Sequence, residues 1–375
     1  MPNRKPVEVF HPGEILLDEL NARGWTQIEF AEIIDRPYPT VNEIINGRKG
    51  ITPETAKEFS AALGTSPEFW MNLETSYRLA KAEEASPSIE LRALMRKKYP
   101  IRDMFLRGWL IKSESAEVVE SQLFRYFEIS SLSETPKLAA SAVARRSDYE
   151  EDELNPSQVA WLYRVKHIAE TMQVPKYSKS SLTSELETLA GYREHPEEIR
   201  HVSQLLENCG VRFTIVEPLP SSKIDGVCFW LNDSPVIGMS LRFDRIDNFW
   251  FVLRHEIEHV LRGDGKEGAI IDSDIVDSQG DENLPEQEIK ANAAAAEFCV
   301  PQDQLNNFIA RKAPYISKKD VLNFAKRIQV HPGLVVGQLQ WQLKRFDLFR
   351  NHLISIRDNI TDASLTDGYG KQVPI

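Results

Sequence analysis

The chain has 375 residues, 42% hydrophobic and 27% charged, which is the balance of an ordinary globular protein and the length of two or three domains. Lys and Arg total 45 against 56 Asp and Glu, and the formal charge of −11 argues against a general polyanion binder. Cys209, Cys228 and Cys299 have no metal-finger or CxxC spacing, the opening MPNRKPVEVFHPGE lacks the apolar core of a secretion signal, and no run approaches a membrane span, so a cytoplasmic protein without a disulfide framework is expected.

Residues 14–80 read as short helices. EILLDELNARG stops at Gly24, and Thr26 caps a second helix whose Ile28, Phe30, Ala31 and Ile34 fall near helical spacing. RPYPTVNEIINGRKG is a third, closed by Asn46-Gly47, while Thr52-Pro53-Glu54 and TSPEFW open two more. AEEASPSIE is a linker by composition. The expected division is a helical module over 1–82, a charge-rich helical middle region over 83–205, a mixed domain over 206–350 and a C-terminal tail over 351–375, polar and loose in its last dozen residues. In the mixed domain VRFTIV, GVCFWL and PVIGMS are strands by their β-branched and aromatic content. A helix, DRIDNFWFVLRHEIEHVLRG, follows and stops at Gly263. After an acidic loop over 263–287 comes EIKANAAAAEFCV, helical until Pro301. The fold class is α+β.

The most informative stretch is His255-Glu256-Ile257-Glu258-His259. Residues four apart share a helix face, so two imidazoles can grip one ion, and Glu256 beside them can reach a water on that ion as general base. This is the HExxH pattern of zinc peptidases. Two surface histidines on a solvated EIEH face are the plain alternative. A third ligand is expected from a downstream helix packed against the first. Glu288 is the candidate, on a helix whose small residues permit close approach, with Glu297 as the reserve. Asn292, one turn after Glu288, is placed to hydrogen-bond a ligand histidine. His331, before Pro-Gly, is a weaker candidate for stabilising an oxyanion.

Residues 210–301 resemble the ImmA/IrrE family of zinc metallopeptidases, whose members follow the HExxH helix with an E-x-x-A-N-x-x-A-A-E-x-x-x-P segment. Here that segment is Glu288, Ala291, Asn292, Ala295, Ala296, Glu297 and Pro301; the family's usual phenylalanine two residues after the asparagine is Ala294. The resemblance implies a zincin-like domain with one zinc ion on His255, His259 and Glu288, Glu256 as general base, and cleavage of a repressor-type protein.

The module over 14–80 resembles a lambda-repressor-like, XRE-type helix-turn-helix, and within that group HigA-like antitoxins, through HPGEILLDEL and ALGTSPEFWMNL. The resemblance places the second helix from Gln27 and the recognition helix over Tyr38 to Ile45. Tyr38, Thr40, Asn42 and Glu43 then face bases, and Arg36, Arg48 and Lys49 face phosphates. Charge opposes this locally: residues 1–80 hold 8 Lys and Arg against 12 Asp and Glu. Arg92, Arg96, Lys97, Lys98, Arg102 and Arg107 form a basic cluster that reads first as a solvated helical face and second as a supplement to DNA contacts. The expected protein is therefore a homodimeric regulator of operator DNA. It joins zinc-dependent endopeptidase activity, on a repressor or antitoxin or on itself, to DNA binding. The alternative is a HigA-like antitoxin that neutralises a toxin and carries a structural or silent metal site.

Overall fold

The computed structural model describes residues 9–146, 154–273 and 284–374, so residues 274–283 of the acidic loop lie outside the described residues. The chain divides into two compact units, 1–86 and 87–375.

The first unit holds α1 (Pro12–Arg23), α2 (Gln27–Ile33), α3 (Tyr38–Ile45), α4 (Pro53–Leu63) and α5 (Pro67–Lys81). Its helices are short because each is punctuated. His11 and Glu14 form one capping box, Thr26 and Glu29 another, and Gly24 ends α1 at φ 70°. The turn between α2 and α3 passes through Asp35 at φ 52°, a left-handed position where glycine is common and an aspartate is tolerated. Leu16, Leu20, Phe30, Val41, Phe59 and Trp70 close the core.

The second unit contains α6 (Pro87–Lys98), α7 (Ile101–Leu106), α8 (Ala116–Phe127), α9 (Lys137–Arg146), α10 (Pro156–Thr171), α11 (Lys179–Gly191) and α12 (Val202–Asn208). There follow β1 (Arg212–Val216), β2 (Ile224–Leu231), β3 (Ser234–Met239), α13 (Ile246–Arg262), β4 (Ile270–Ser273) and α14 (Glu286–Cys299). The unit ends with α15 (Gln302–Lys312), α16 (Lys318–Arg327), α17 (Pro332–Leu343), α18 (Arg357–Thr361) and β5 (Leu365–Asp367).

The five strands lie in the order β4-β2-β3-β1-β5. β1 runs parallel to β3 and β5, whereas β2 is antiparallel to β3 and β4. Both faces are covered, which is why the strands read as near-continuous apolar runs rather than alternating ones. Cys228 and Ile237 join the core that contains α13, and Val227, Phe229 and Val236 join the core that contains α8 and α10. Helix α10 is buried nearly all round, as a helix docked on a sheet and overlaid by others must be.

Two expectations are corrected. The last dozen residues are not a loose tail: Leu365, Thr366 and Asp367 pair with Thr214, Ile215 and Val216, and Asp367 is 2% exposed. Their polarity misleads because Asp367 is buried against Arg164 of α10, with Arg164 Nε donating to Oδ2 at 3.0 Å and Nη2 to Oδ1 at 2.9 Å. The acidic loop also contains β4, a strand too short and too acidic in its surroundings to announce itself. In the basic cluster, Arg92 donates to the Glu114 carbonyl, Lys98 to the carbonyls of Leu132 and Glu134, and Arg107 pairs with Glu217. Those three cations serve the packing of the second unit.

Candidate metal centre and nucleic-acid interface

Helix α13 carries the HExxH stretch in its C-terminal half, and its apolar residues Phe249, Trp250, Val252, Leu253 and Ile257 anchor it in the core. His255 and His259 are 1% and 0% exposed, which removes the surface-histidine alternative. Across α13 packs α14, where Ala291 and Ala295 are fully buried, and this close approach brings Glu288 to the histidines. The Nε2 atoms of His255 and His259 lie 3.0 Å apart. Glu288 Oε2 is 3.2 Å from the first and 3.6 Å from the second.

Each histidine is held from behind. His255 Nδ1 meets Asn292 Oδ1 at 3.0 Å, and His259 Nδ1 meets Asp264 Oδ2 at 3.1 Å. With Nδ1–H donated to an oxygen, each ring turns its Nε2 lone pair toward the other. Two facing lone pairs beside a carboxylate repel unless a cation sits among them. Burial disfavours the imidazolium of His255, but Asp272 and Glu288 outweigh it and push its pKa up to about 10. For His259, Asp264 and Glu288 overcome burial to the same result, about 10. Burial opposes the Glu288 carboxylate, yet the two imidazoles hold its pKa well below the usual range. The carboxylates around the two imidazoles therefore favour a cation there, and a metal entering the site would displace protons.

Sequence reasoning missed Asp272 and Asp264. Asp272, 7% exposed on β4, places Oδ2 3.5 Å from His255 Nε2 and 3.9 Å from His259 Nε2. Donor atoms of His255, His259, Asp272 and Glu288 all lie within 4.8 Å of one another. Donors bonded at about 2.0–2.1 Å in a tetrahedron sit about 3.3 Å apart, so the spacing and the nitrogen–oxygen donor set both suit zinc. Asp264 had one signal: it follows Gly263, which stops α13 at φ 77° and folds the chain back onto His259.

Glu256 is fully buried and neither of its carboxyl oxygens has a hydrogen-bond partner among the described residues. Burial first, and then the charge of Asp272, push its pKa far above the usual carboxylate range. The space it occupies exists because residue 226 is glycine: a Cβ there would lie 2.0 Å from Glu256 Oε1. We expect Gly226→Ala to cost ~1–3 kcal/mol in urea unfolding, since the added methyl must displace a buried carboxylate. A variant as stable as the parent would show that Glu256 has room to move.

The weaker candidates have other employment. Glu297 Oε2 accepts from the Gln302 amide at 2.9 Å at the start of α15, and His331 Nδ1 accepts from the Gly333 amide at 3.0 Å as the cap of α17.

In the first unit, α3 spans Tyr38–Ile45 and α2 begins at Gln27. Asn42 Nδ2 donates to Gln27 Oε1 at 3.1 Å and lies 3.4 Å from the Tyr38 hydroxyl. Tyr38, Glu43, Arg48 and Lys49 are exposed; Thr40 is half-buried. Arg36 is engaged by Glu58 through both Nε, at 3.0 Å, and Nη2, at 2.8 Å, so this cation is already neutralised.

Residues 16–70 match the family described as helix-turn-helix, and residues 209–339 match peptidase family M78, described as the IrrE N-terminal-like domain. The chain is 32% identical over 84 residues to an uncharacterized HTH-type transcriptional regulator, YddM, of Escherichia coli, covering 22% of this chain and 89% of that protein. It is 40% identical over 72 residues to antitoxin HigA-1 of Vibrio cholerae, 19% of this chain and 65% of that one. Among solved structures it is similar to the Pseudomonas aeruginosa antitoxin HigA with the higBA promoter, at 38% identity and a TM-score of 0.19, over 20% of this chain and 80% of that one. With the regulator matched over nearly its whole length, the chain belongs to the family of helix-turn-helix transcriptional regulators, and it carries an IrrE N-terminal-like peptidase M78 domain in its second unit.

Proposed function

We propose that this regulator is also a zinc-dependent endopeptidase. The observation that carries the reading is the pair of imidazole Nε2 atoms facing each other 3.0 Å apart beside Glu288, with a buried Glu256 that has no hydrogen-bond partner among the described residues. His255, His259 and Glu288 would hold the ion, with Asn292 and Asp264 fixing the two rings. When bound, zinc supplies a Lewis acid that polarises a peptide carbonyl and makes water acidic near neutral pH. Glu256 accepts the proton of the attacking water and delivers it to the leaving amine, so that one water and one peptide bond become a carboxylate and an amine. The substrate class is a protein of repressor or antitoxin type, or this chain's own first unit. Intact full-length protein that cleaves a second protein in the presence of zinc would exclude the self-cleaving version.

The first unit, in the same reading, binds operator DNA as a homodimer with α3 presented to the major groove. The linked Gln27, Asn42 and Tyr38 side chains are a preformed polar edge for bases, and Arg48 and Lys49 are open to phosphates. A gel shift with the DNA upstream of its own gene tests this. We expect Asn42→Ala to lower affinity by about 1–3 kcal/mol and relax specificity at one base position, and the Arg48→Ala, Lys49→Ala pair to weaken all sequences alike while reducing the salt slope by about 2. Retention of full affinity by both variants would remove α3 from the interface.

The antitoxin reading with a silent site is favoured by one observation, the approach of Asp272 as a further carboxylate to the candidate metal position. Toxin neutralisation that survives replacement of both histidines would support it.

A further inference from the structure

We infer that Asp272 is a fourth protein ligand, delivered by β4, and that it keeps the peptidase latent at rest. The inference rests on the reading of the site just given. A catalytic zinc keeps one position for water and a structural zinc has all four filled by protein. Here four side chains converge: His255, His259, Glu288 and Asp272. Asp272 Oδ2 is buried and without a hydrogen-bond partner among the described residues, a placement that is unfavourable for a carboxylate unless a cation completes it. Its aim is built into the strand pairing. Asp272 stands opposite Gly226 in the β2–β4 register, and the register shifts between Ile224 and Gly226, where an irregularity turns the strand.

A permanently closed site leaves Glu256 unexplained. Its carboxyl group is buried in a space that depends on Gly226 and bonds to nothing described, which costs stability and serves only an open fourth position. Both features are satisfied if Asp272 is a removable ligand. β4 suits that role: it is four residues long, it lies at one edge of the sheet, and among the described strands it pairs only with β2. Its departure would leave the order β2-β3-β1-β5 intact. α9 packs beside it, the Ser141 carbonyl lying against Gly268, so movement of that helix has a direct route to the ligand.

Cobalt-substituted full-length protein tests the assignment by its visible spectrum. Asp272→Ala and the shape-conserving Asp272→Asn are each expected to change the ligand-field bands as water replaces carboxylate. Zinc affinity, measured by chelator competition, should fall by at least the roughly 10–100-fold that loss of an outer hydrogen-bond partner costs. Cleavage of a quenched-fluorescent peptide library should rise about tenfold or more over the parent in whichever variant retains its zinc, as the fourth position opens to water. Unchanged bands and unchanged affinity in both variants would overturn the assignment; changed bands without a gain in cleavage would overturn the latency. A parent that takes up no cobalt, or a His255→Ala, His259→Ala variant that takes up as much, would instead overturn the underlying metal site and the inference with it.

Discussion

Glu256→Gln is expected to leave zinc bound and to lower peptide cleavage by ~10²–10⁴-fold, the contribution of a positioned acid–base group. Glutamine keeps the shape of the side chain and so respects the space over Gly226, but it cannot carry a proton from water to the leaving amine. The same exchange removes a buried carboxyl group that lies beside Asp272 and makes no hydrogen bond to a described residue. Thermal unfolding of the variant should therefore occur at the parent's temperature or above it. That combination, lost activity with undiminished stability, distinguishes a group kept for chemistry from one kept for packing. Cleavage undiminished in Glu256→Gln would refute the peptidase reading, and zinc analysis of the same sample would show whether the metal site survives that refutation.

The second large effect concerns the buried pair formed by Arg164 and Asp367. Asp367→Ala is expected to destabilise the second unit by ~3–5 kcal/mol, because it leaves the Arg164 guanidinium buried without its partner. Asp367 does more than neutralise that charge. Its Oδ2 accepts from Trp109 Nε1 at 2.6 Å and its Oδ1 from the Val373 amide at 3.0 Å, so one carboxylate joins α10, the segment after α7 and the end of the chain. Arg164 and Asp367 are 1% and 2% exposed, and solvent screens little of this. Urea unfolding of the single variant and of the Arg164→Met, Asp367→Leu pair measures the effect. The apolar pair should recover part of the loss, since it removes both buried charges together. A single variant within ~1 kcal/mol of the parent would show that water reaches Arg164.

The contrast between these two sites explains what could be read in advance. HExxH, Glu288 and Asn292 are legible because their spacing is set by helix geometry within α13 and α14. Gly24, Thr26 and Thr52 are legible as helix ends for the same local reason. β1, β2 and β3 announce themselves because a sheet covered on both faces needs long apolar runs. β4 and β5 lack such runs, with four and three residues whose burial is decided by distant partners. Asp367 is 203 positions from Arg164, and no local pattern links them. Asp272 is one acid among eight in residues 263–287, and it is its strand pairing opposite Gly226, a non-local contact, that brings it to the histidines. Its position also alters the meaning of the negative charge: at least one of those acids is structural rather than part of a solvated loop.

The placement of β5 has a consequence for synthesis. The first unit closes its core with residues that leave the ribosome early, and it can fold while most of the chain is unmade. The second unit cannot complete its sheet until Leu365–Asp367 has emerged and paired with β1. Synthesis that ends between these points would release a folded helix-turn-helix unit tethered to an unfinished second unit. Nascent chains arrested at successive lengths and probed by protease would show protection of the first unit well before that of the second.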